Sequence, residues 1–518
     1  MWLARAAVAR RSLTVTSLAY SPRFFLRQPI LLRGGTVVNA DQSFGADVLL
    51  SDGLIRAVGP SLKAPKGALV LDATGQLVLP GGVDPHTHLE MPFMGAVSVD
   101  DFASGHAAAL AGGTTFHLDF VLPVAHDLLA GYAAWQRKAS RGCLDYGLHV
   151  AVTSWSERVA VDMETLVQGG VNSFKFFMAY KGALMVSDAE LLAGMRQCRK
   201  LGALAMVHAE NGDAVEDGRT AVFASGVTGP EGHALSRPAA LEEEATGRAI
   251  RLAASVNAPL YVVHVMSAGA AAQLAAARAR GQRVVGEAVL SGLVLDQSAM
   301  WHPNFTTAAA AVMSPPIRQL AVDGVALKGA LVSGILGPLG TDHCAFNSSQ
   351  KAAGRADFRL IPNGVNGLGE RLVFAWDALV ASGLGTPMDF VRATSTAAAQ
   401  AFNLYPRKGH IAVGSDADVV LFDPAGSTSV SAKTHFSKSD TNVYEGRTAQ
   451  GRVTHTISRG RLLWADGALV CQPGTARFVP TPPFSPWLFS GLDAQDRGQA
   501  EGRRPVHRDA AHELHEEL

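Results

Sequence analysis

Gly81-Gly82-Val83-Asp84-Pro85-His86-Thr87-His88 is the segment from which the architecture of this chain can be inferred. A hydrophobic run, 76–80, leads into it, as expected for a buried strand. Side chains alternate along an extended segment, so the rings of His86 and His88 point to the same side. Two imidazoles placed in this way can hold one cation at about 2.0–2.1 Å, the usual zinc–nitrogen distance. A histidine pair also arises by chance, so the metal site depends on further ligands elsewhere.

The region 81–409 alternates candidate strands with helical segments rich in Ala and Leu, such as Leu241–Ala254 and Ala268–Arg280. This alternation is typical of βα units around a parallel sheet. The eight candidate strands are Val83–His88, Thr114–Phe120, Tyr146–Thr153, Asn172–Phe177, Ala203–His208, Leu260–Val265, Arg283–Ala288 and Ile335–Thr341. The sequence therefore predicts an α/β protein with a (β/α)8 TIM-like barrel, in which chemistry lies at the carboxyl ends of the strands.

Ionisable side chains occur in or directly after five of these candidate strands. They are His86, His88, Lys175, His208, His264 and Asp342. Taken singly, a strand-end histidine is more often a hydrogen-bonded core residue than a ligand, and an aspartate after Gly340-Thr341 could cap a helix. Together, six such residues at one predicted rim are hard to explain independently. We therefore expect them to form a metal site.

The β-rich runs at the two ends of the chain predict a second structural unit. Short runs punctuated by Gly, Asp and Pro occur within 30–80 and again within 410–479, which predicts one small β-sandwich domain built from both ends of the chain. The predicted organisation is a leader or disordered amino terminus at 1–29, sandwich parts at 30–80 and 410–479, and the barrel at 81–409. We expect the tail, 480–518, to be partly disordered or to contact another subunit.

Composition excludes several classes of protein. The 518 residues are 48% hydrophobic and 17% charged, which suits a large barrel with an accessory domain. Lys+Arg and Asp+Glu both number 45, so no net field favours nucleic acid or an anionic membrane. No apolar run approaches the roughly 20 residues of a membrane span. The four cysteines, Cys143, Cys198, Cys344 and Cys471, have no paired spacing, which argues against a disulfide framework and for a reducing compartment.

The first forty residues contain no Asp or Glu but several Arg, Ser and Thr residues. That composition is typical of a mitochondrial transit peptide, and it fits a disordered or alternative amino terminus equally well. No uninterrupted apolar core lies between the arginines, so a secretory signal is disfavoured. Composition alone leaves the location of the protein open.

Seven further stretches, together with the six ionisable residues, resemble the cyclic amidohydrolase superfamily and, within it, the dihydropyrimidinases (hydantoinases). They are Asn172–Lys175, Met178–Lys181, His208–Gly212, Thr228–His233, Met313–Arg318, Ile361–Gly364 and Asn403–Gly409. The resemblance covers roughly residues 30 to 475. Asn403–Gly409, with Ile411–Asp418, looks like the vertebrate branch rather than a bacterial one. The family resemblance implies a cytoplasmic homotetramer.

The resemblance also implies a centre of two zinc ions per subunit. His86, His88 and Asp342 would hold one zinc ion, and His208 and His264 the other. Lys175, carboxylated by carbon dioxide, would bridge the two ions. An unmodified lysine offers only hydrogen-bond donors, and its ammonium form would be repelled by two dications, so the bridge requires the added carboxylate.

The reaction implied by the resemblance is hydrolytic ring opening of 5,6-dihydropyrimidines in pyrimidine catabolism, and also of hydantoins. Dihydrouracil would give N-carbamoyl-beta-alanine, and dihydrothymine would give N-carbamoyl-beta-aminoisobutyrate. The metals would lower the pKa of a water from about 15.7 toward about 7. Asp342 would pass a proton to the departing ring nitrogen. Tyr180 would donate to the developing oxyanion, and backbone groups of Ser314 and Asn363 would bind the ring.

Three alternatives are carried forward. Dihydroorotases usually place an arginine just after the paired histidines to bind a substrate carboxylate, whereas this chain has Leu89-Glu90. Because Glu90 would repel an anionic substrate, we expect an uncharged ring. An allantoinase is the second alternative. The third is a non-catalytic scaffold resembling the collapsin response mediator proteins, which share the fold but lack the metal ligands.

Overall fold

The structure is a computed structural model that describes residues 28–494 and 496. Eight parallel strands follow one another around a barrel in the order of the sequence. They are Gly82–Thr87, Thr114–Val121, Asp145–Ala151, Ser173–Phe177, Leu204–His208, Leu260–Val265, Val284–Val289 and Leu336–Gly340. All eight predicted strands are present, and the predicted barrel is confirmed.

A buried polar network closes the barrel between its first and eighth strands. The fully buried Arg371 donates from Nη1 to the carbonyl oxygens of Val83, Leu339 and Thr394 at 3.1, 2.9 and 3.0 Å. The carboxylate of Asp84 on the first strand accepts a hydrogen bond from the hydroxyl of Thr341 at 2.7 Å. This network, which we call the seam, joins the strand that carries the paired histidines to the strand that precedes Asp342.

Helices cover the barrel, and shorter helical segments lie within its loops. The α-helices are Phe102–Ala111, Leu128–Ala139, Glu157–Gln168, Asp188–Leu201, Gly212–Ala224, Glu231–Leu235, Ala239–Ser255, Ala268–Ala279, Leu290–Val294, Phe305–Ala310, Val325–Val332, Ser348–Lys351, Arg371–Trp376, Pro387–Val391, Ala397–Ala401 and Pro486–Phe489. Short 3-10 segments are Gln297–Trp301, Ala352–Gly354 and Phe358–Leu360, and π-helical segments are Leu320–Gly324, Asp377–Ala381 and Arg392–Thr396. Within residues 28–494 and 496, none of the helices has the length and apolarity needed to cross a membrane.

The second sheet is built from both ends of the chain, as expected. Its strands are Ile30–Val38, Ser43–Ser51, Leu54–Gly59, Leu69–Asp72, Leu77–Pro80, Val419–Ser429, Thr448–Ser458, Arg461–Ala465 and Ala468–Leu469. Leu77–Pro80 pairs with Val419–Ser429 and so joins the two contributions. Alternate side chains face two cores: Val78 and Val419 pack within the β unit, whereas Leu79 and Val420 pack in the cluster that includes the barrel.

The lower end of the barrel is filled by apolar residues from late in the chain. Phe402 and Leu488 pack with Phe116 and Tyr261 in the barrel interior. The strand Arg477–Phe478 pairs with the third barrel strand, although the sequence placed it in the β-sandwich. Residues 480–489 continue along the same end, where Thr481 donates to the carbonyl of Gly170 at 2.8 Å. The first part of the predicted tail is therefore ordered against the barrel, while 495, 497–518 and the leader up to 27 lie outside the described residues.

A buried ion cluster also connects the two units. The ammonium of Lys408 lies 2.6 Å from Asp418, 3.2 Å from Asp416 and 3.4 Å from Asp145, at the start of the third barrel strand. These carboxylates raise the pKa of Lys408 above its usual range in spite of its burial. The three aspartates could by their spacing hold a metal ion, but the ammonium already occupies the place where a cation would bind.

The cysteine expectation needs correction. Cys143 and Cys471 form a disulfide with their Cα atoms 5.9 Å apart, whereas Cys198 and Cys344 are free and buried. The partners are 328 residues apart in the sequence. Local spacing could not reveal this pair, because it forms only when the end of the β unit returns to the barrel.

Replacing the central cation of the seam tests its contribution to stability. Arg371→Met keeps the side-chain length but leaves three carbonyl oxygens and the Asp84 carboxylate without their cationic partner. Removing one partner from a buried ionic network costs about 3–5 kcal/mol, so we expect a clear fall in the urea midpoint of unfolding.

Arg56→Met is the matched control, since Arg56 pairs with Asp52 at 3.3 Å on the surface, where the side chains are 45% and 68% exposed. Exposed pairs contribute about 0–1 kcal/mol, so this midpoint should barely move. Equal urea midpoints for the two variants would contradict the conclusion that the seam stabilises the fold.

Candidate metal centre

Every residue predicted for the site lines one cavity at the carboxyl ends of the barrel strands. These residues are His86, His88, Lys175, Tyr180, His208, His264, Ser314, Asp342 and Asn363. The remaining walls are mostly apolar and come from Met91, Phe93, Phe120, Leu122, Phe177, Leu184, Cys344 and Gly364. The structure thus brings together side chains that are up to 277 residues apart, from His86 to Asn363.

Three ligand atoms converge at the top of the first strand. His86 Nε2 lies 3.2 Å from His88 Nε2 and 3.1 Å from Asp342 Oδ1, and His88 Nε2 lies 3.0 Å from the same oxygen. Ligand atoms bound at about 2.0–2.1 Å around one tetrahedral zinc ion are roughly 3.3–3.4 Å apart. These three atoms therefore have nearly the spacing of three corners of a zinc tetrahedron.

The hydrogen bonds on the far side of His86 determine which of its atoms faces the cavity. Its Nδ1 lies 2.6 Å from Glu287 Oε1, and that carboxylate also accepts from the hydroxyl of Tyr261 at 2.7 Å and the amide of His264 at 3.0 Å. A carboxylate can only accept, so Nδ1 carries a proton and Nε2 is the ring nitrogen that faces the cavity. Burial disfavours a second proton, but Glu287 and Asp342 outweigh it and raise the pKa of His86 to about 9. The two carboxylates therefore favour a positive charge at Nε2, which a metal ion would supply in place of the second proton.

A second pair of ligand atoms lies beside the first group. His208 Nδ1 is 2.8 Å from His264 Nε2, and the rings of His264 and His86 have centroids 5.4 Å apart. The outer nitrogen of His208, Nε2, lies 2.8 Å from the buried carboxylate of Glu210. Glu210 therefore acts on His208 as Glu287 acts on His86, and in each histidine the inner ring nitrogen faces the cavity.

Lys175 lies between the two groups. Its Nζ is 4.7 Å from the ring centroid of Phe120, which packs against His86, and 5.2 Å from that of Phe177, which packs against His208. Burial lowers the pKa of Lys175 to about 7, in spite of the carboxylates of Glu287 and Asp342. A large fraction of this amine is thus neutral near neutral pH, which an exposed lysine would not be.

The backbone is strained where two of these side chains leave their strands. Asp342 and His264 have φ values of 51° and 37°, in the left-handed region that residues with side chains rarely adopt. Strain of this kind persists only where the surroundings impose it, and it is concentrated at functional sites. Gly340 adds a steric requirement, because a Cβ there would lie 3.1 Å from the Cβ of His86.

Tyr180, Ser314 and Asn363 form a polar corner of the same cavity, where the ring centroid of Tyr180 lies 5.1 Å from that of His208. Burial raises the pKa of Tyr180 to about 12, although hydrogen bonds to Ser314 and Asn363 oppose the shift. Asn363 donates from Nδ2 to Ser314 Oγ at 2.9 Å. The ammonium of Lys351 ties the two segments together from behind, since it donates to the carbonyls of Val312 at 3.0 Å and Gly364 at 2.8 Å.

The sequence did not reveal three residues that support this site, and it suggested a wrong role for Glu90. Glu287 and Lys351 had no motif, and Glu210 was quoted without a role. The signal of Glu287 and Glu210 was a single charge in or next to a buried strand, whereas Lys351 lies in a polar, partly exposed segment that gave no such signal. Glu90 does not repel ligands in the cavity, because it pairs with Arg141 at 2.7 Å and is absent from the described lining residues. The preceding Leu89 is fully buried.

Comparisons with known proteins give a consistent result. A model of the amidohydrolase family matches residues 77–463. A dihydropyrimidinase of Arabidopsis thaliana is 56% identical over 481 residues, which cover 92% of this chain and 90% of that protein. A dihydropyrimidinase of Rattus norvegicus is 47% identical over 478 residues, 91% of this chain and 92% of that protein. The solved structure of a D-hydantoinase from a Bacillus sp. has a TM-score of 0.86 at 42% identity, covering 88% of this chain and 99% of its own. Identity to the plant protein exceeds identity to the rat protein, which gives no support to a specifically vertebrate resemblance.

Proposed function

The chain belongs to the amidohydrolase family, and we propose that it opens the ring of 5,6-dihydropyrimidines by zinc-dependent hydrolysis and also acts on hydantoins. The proposed reactions convert dihydrouracil to N-carbamoyl-beta-alanine and dihydrothymine to N-carbamoyl-beta-aminoisobutyrate. The observation that carries the proposal is the convergence of ring nitrogens from four histidines and a carboxylate oxygen of Asp342 in one cavity. Relatives named dihydropyrimidinase and D-hydantoinase support the choice of substrate class.

Two zinc ions fit the donor atoms that the chain provides. His86, His88 and Asp342 would hold one ion, and His208 and His264 would hold the second. The imidazoles and the carboxylate are ligands that zinc prefers, and the carboxylates of Glu287 and Glu210 orient one histidine in each group. When bound, the ions lower the pKa of a water toward about 7 and polarise the substrate carbonyl.

Lys175 suits the role of bridge only after carboxylation. Its neutral amine would attack the carbon of carbon dioxide, form a nitrogen–carbon bond and lose one proton, which leaves an anionic carbamate. The low pKa supports this step, because an ammonium has no lone pair with which to attack. The carbamate oxygens would then face both groups of ligands from the position between Phe120 and Phe177.

The cavity suits a small neutral ring with donor and acceptor edges. Among the described residues that line the cavity there is no arginine and no lysine besides Lys175, so a substrate carboxylate would find no guanidinium or free ammonium partner once Lys175 is carboxylated. The hydroxyl of Tyr180 would donate to the carbonyl oxygen as negative charge develops there, and its raised pKa keeps the proton in place. Backbone groups of Ser314 and Asn363 would hold the ring edge.

Asp342 is the proposed proton carrier. Its Oδ1 contacts both histidines of the first group, and the carboxylate lines the cavity. The neighbouring imidazoles hold its pKa well below the usual range in spite of burial, so it starts as an acceptor. It would take a proton from the attacking water and deliver it to the ring nitrogen as the amide bond breaks.

The alternatives differ from this proposal in specific contacts. A non-catalytic scaffold of the collapsin response mediator type is disfavoured, because all six metal-ligand positions are filled in this chain. A dihydroorotase is disfavoured by the absence of an arginine in the described cavity lining. Allantoinase chemistry needs the same metals and a similar neutral ring, so only an assay separates it.

Quaternary structure, location and domain limits remain proposals. We propose a cytoplasmic homotetramer with the sandwich parts at 30–80 and 410–479, apart from the strand Arg477–Phe478 that pairs with the barrel, and with the barrel at 81–409. The match of the amidohydrolase family model to residues 77–463 supports a barrel in the middle of the chain. The mitochondrial alternative rests on residues 1–40, most of which lie outside the described region.

A parallel assay on four substrates tests the reaction. We expect purified protein to hydrolyse dihydrouracil and hydantoin well, since both are neutral rings with an imide edge. Allantoin should be a poorer substrate, and dihydroorotate, which carries a carboxylate, should be the poorest. Preference for dihydroorotate or allantoin would overturn the assigned substrate class.

Removal of the proposed bridge tests the metal centre. Lys175→Ala should abolish activity and remove much of the metal, because the neighbouring carboxylates are already engaged, Asp342 with the first ligand group and Glu287 with His86 and Tyr261. Elemental analysis should give two zinc ions per wild-type subunit. Lys200→Ala is the control, since Lys200 is 68% exposed and pairs with Glu164 on the surface. Fully active wild-type protein with one metal or none would rule out the binuclear centre.

The proton carrier is tested by Asp342→Asn, which keeps the shape and one ligating oxygen but cannot accept a proton. Loss of a well-placed acid–base group costs roughly 10²–10⁴-fold, so we expect kcat to fall by at least about 10²-fold. Metal content should be largely retained. Asp188→Asn, at an exposed helix start, should leave kcat unchanged. Near-normal kcat in Asp342→Asn with both metals bound would assign the proton transfer to another group.

A further inference from the structure

Thr87 lies between the two histidines of the first group and points away from them. Because side chains alternate along the strand Gly82–Thr87, His86 and His88 face the cavity while Thr87 faces the surrounding protein. The side chain of Thr87 is fully buried, and its hydroxyl lies 2.8 Å from both His117 Nδ1 and Asp119 Oδ2. These partners belong to the second barrel strand.

The hydrogen bonds behind Thr87 can run in only one direction. The amides of Cys143 and Leu144 both donate to His106 Nδ1, at 2.9 and 3.0 Å, so the proton of this imidazole is on Nε2. His106 Nε2 then donates to His117 Nε2 at 2.8 Å, and His117 must donate from Nδ1 to the Thr87 hydroxyl. Burial lowers the pKa of both imidazoles, which agrees with two neutral rings.

Asp119 completes the chain of hydrogen bonds on the other side. The Thr87 hydroxyl already accepts from His117, so it donates its own proton to Asp119 Oδ2 at 2.8 Å, with the carbonyl of Leu118 as a longer acceptor at 3.3 Å. The same carboxylate accepts from the amide of Leu89 at 2.9 Å and from Trp135 Nε1 at 2.8 Å. Leu89 directly follows His88, so Asp119 holds the backbone on both sides of that histidine.

We propose that His106, His117, Thr87 and Asp119 form a positioning wire that sets the angle between His86 and His88 and thereby the affinity of the first metal. The inference deepens the proposed function and rests on it, because it concerns the ion held by His86, His88 and Asp342. The wire touches neither the metal ligand atoms nor the substrate. It acts by fixing the backbone of the segment from Thr87 to Leu89.

The wire is sensitive to the loss of a single hydroxyl. Removal of the Thr87 hydroxyl leaves the His117 Nδ1 proton without an acceptor and removes one of three donors to Asp119. A buried unpaired group carries a desolvation penalty, so the segment would shift to relieve it. Two ligand atoms that must stay about 3.3 Å apart around one zinc ion tolerate little movement of their strand. The second pair, His208 and His264, lies on other strands and does not depend on Thr87.

The experiment compares isosteric and conservative variants of the same residue. Thr87→Val removes only the hydroxyl, Thr87→Ser keeps it, and Asp119→Asn replaces one acceptor oxygen by a donor. Thr456→Val is the matched control, because Thr456 is equally buried and donates to the Leu110 carbonyl at 2.7 Å, away from the site. Zinc affinity is measured by chelator competition, zinc content by elemental analysis, and folding by thermal unfolding and circular dichroism.

We expect Thr87→Val and Asp119→Asn to weaken one of the two zinc ions by about 10–100-fold, the usual effect of losing an outer-shell partner. The other zinc ion should keep its affinity. Thr87→Ser should restore wild-type binding, and Thr456→Val should lower only the unfolding temperature. Unchanged zinc affinity in Thr87→Val, or an equal loss of affinity for both zinc ions, would contradict the proposed role of the positioning wire.

The outcomes separate this inference from the proposed function. If the wild-type chain binds two zinc ions and Thr87→Val binds both with the same affinities, the wire is wrong and the binuclear centre stands. If the wild-type chain binds one ion, the binuclear proposal fails, and the wire is judged by the affinity of Thr87→Val for that ion. If Thr87→Val does not fold, the zinc affinity of Asp119→Asn is compared with that of Thr87→Ser, which serves as the folded reference. Equal affinities in these two variants would contradict the proposal.

Discussion

Ring nitrogens of four imidazoles and an oxygen of one carboxylate meet in one small space, and the rest of the structure depends on holding them there. Once the nitrogens have lost their protons, these atoms lie 2.8–3.2 Å apart and repel one another unless a cation lies between them. The protein must therefore maintain an arrangement that is unfavourable by itself. It does so with buried carboxylates on the outer nitrogens, Glu287 for His86 and Glu210 for His208, which fix the ring orientation before any ion binds.

Closure of the barrel also helps to hold the ligand atoms in place, over a longer distance. The first ligand group combines the first strand, which carries His86, with the loop after the eighth, which carries Asp342. Those strands are consecutive around the barrel but lie at opposite ends of the sequence, so their register depends on the seam of Arg371, Asp84 and Thr341. A fully buried guanidinium is unfavourable to desolvate, and here it is satisfied by three carbonyl oxygens from three segments.

The sequence predicted what local pattern determines and missed what only strand order determines. Strand boundaries followed from hydrophobic runs, and His86, His88, His208, His264 and Asp342 followed from their places at strand ends. Glu287 could not be assigned, because its partner His86 is 201 residues away and becomes its neighbour only across the closed barrel. The disulfide between Cys143 and Cys471 was missed for the same reason. The vertebrate resemblance rested on a few residues and gained no support from comparison of whole chains.

Lys175 shows how the apolar part of the site has a chemical role. A lysine beside several carboxylates would ordinarily stay protonated, since Glu287 and Asp342 both favour the ammonium. The rings of Phe120 and Phe177 exclude water around Nζ, and this desolvation outweighs the carboxylates, so the pKa falls to about 7. The same rings pack against His86 and His208, so one pair of phenyl groups both positions imidazoles and keeps the amine reactive. A polar residue at either position would hydrate the amine and favour its charged form, which cannot attack carbon dioxide. The apolar wall therefore favours the proposed bridge, because burial of the amine lowers its pKa.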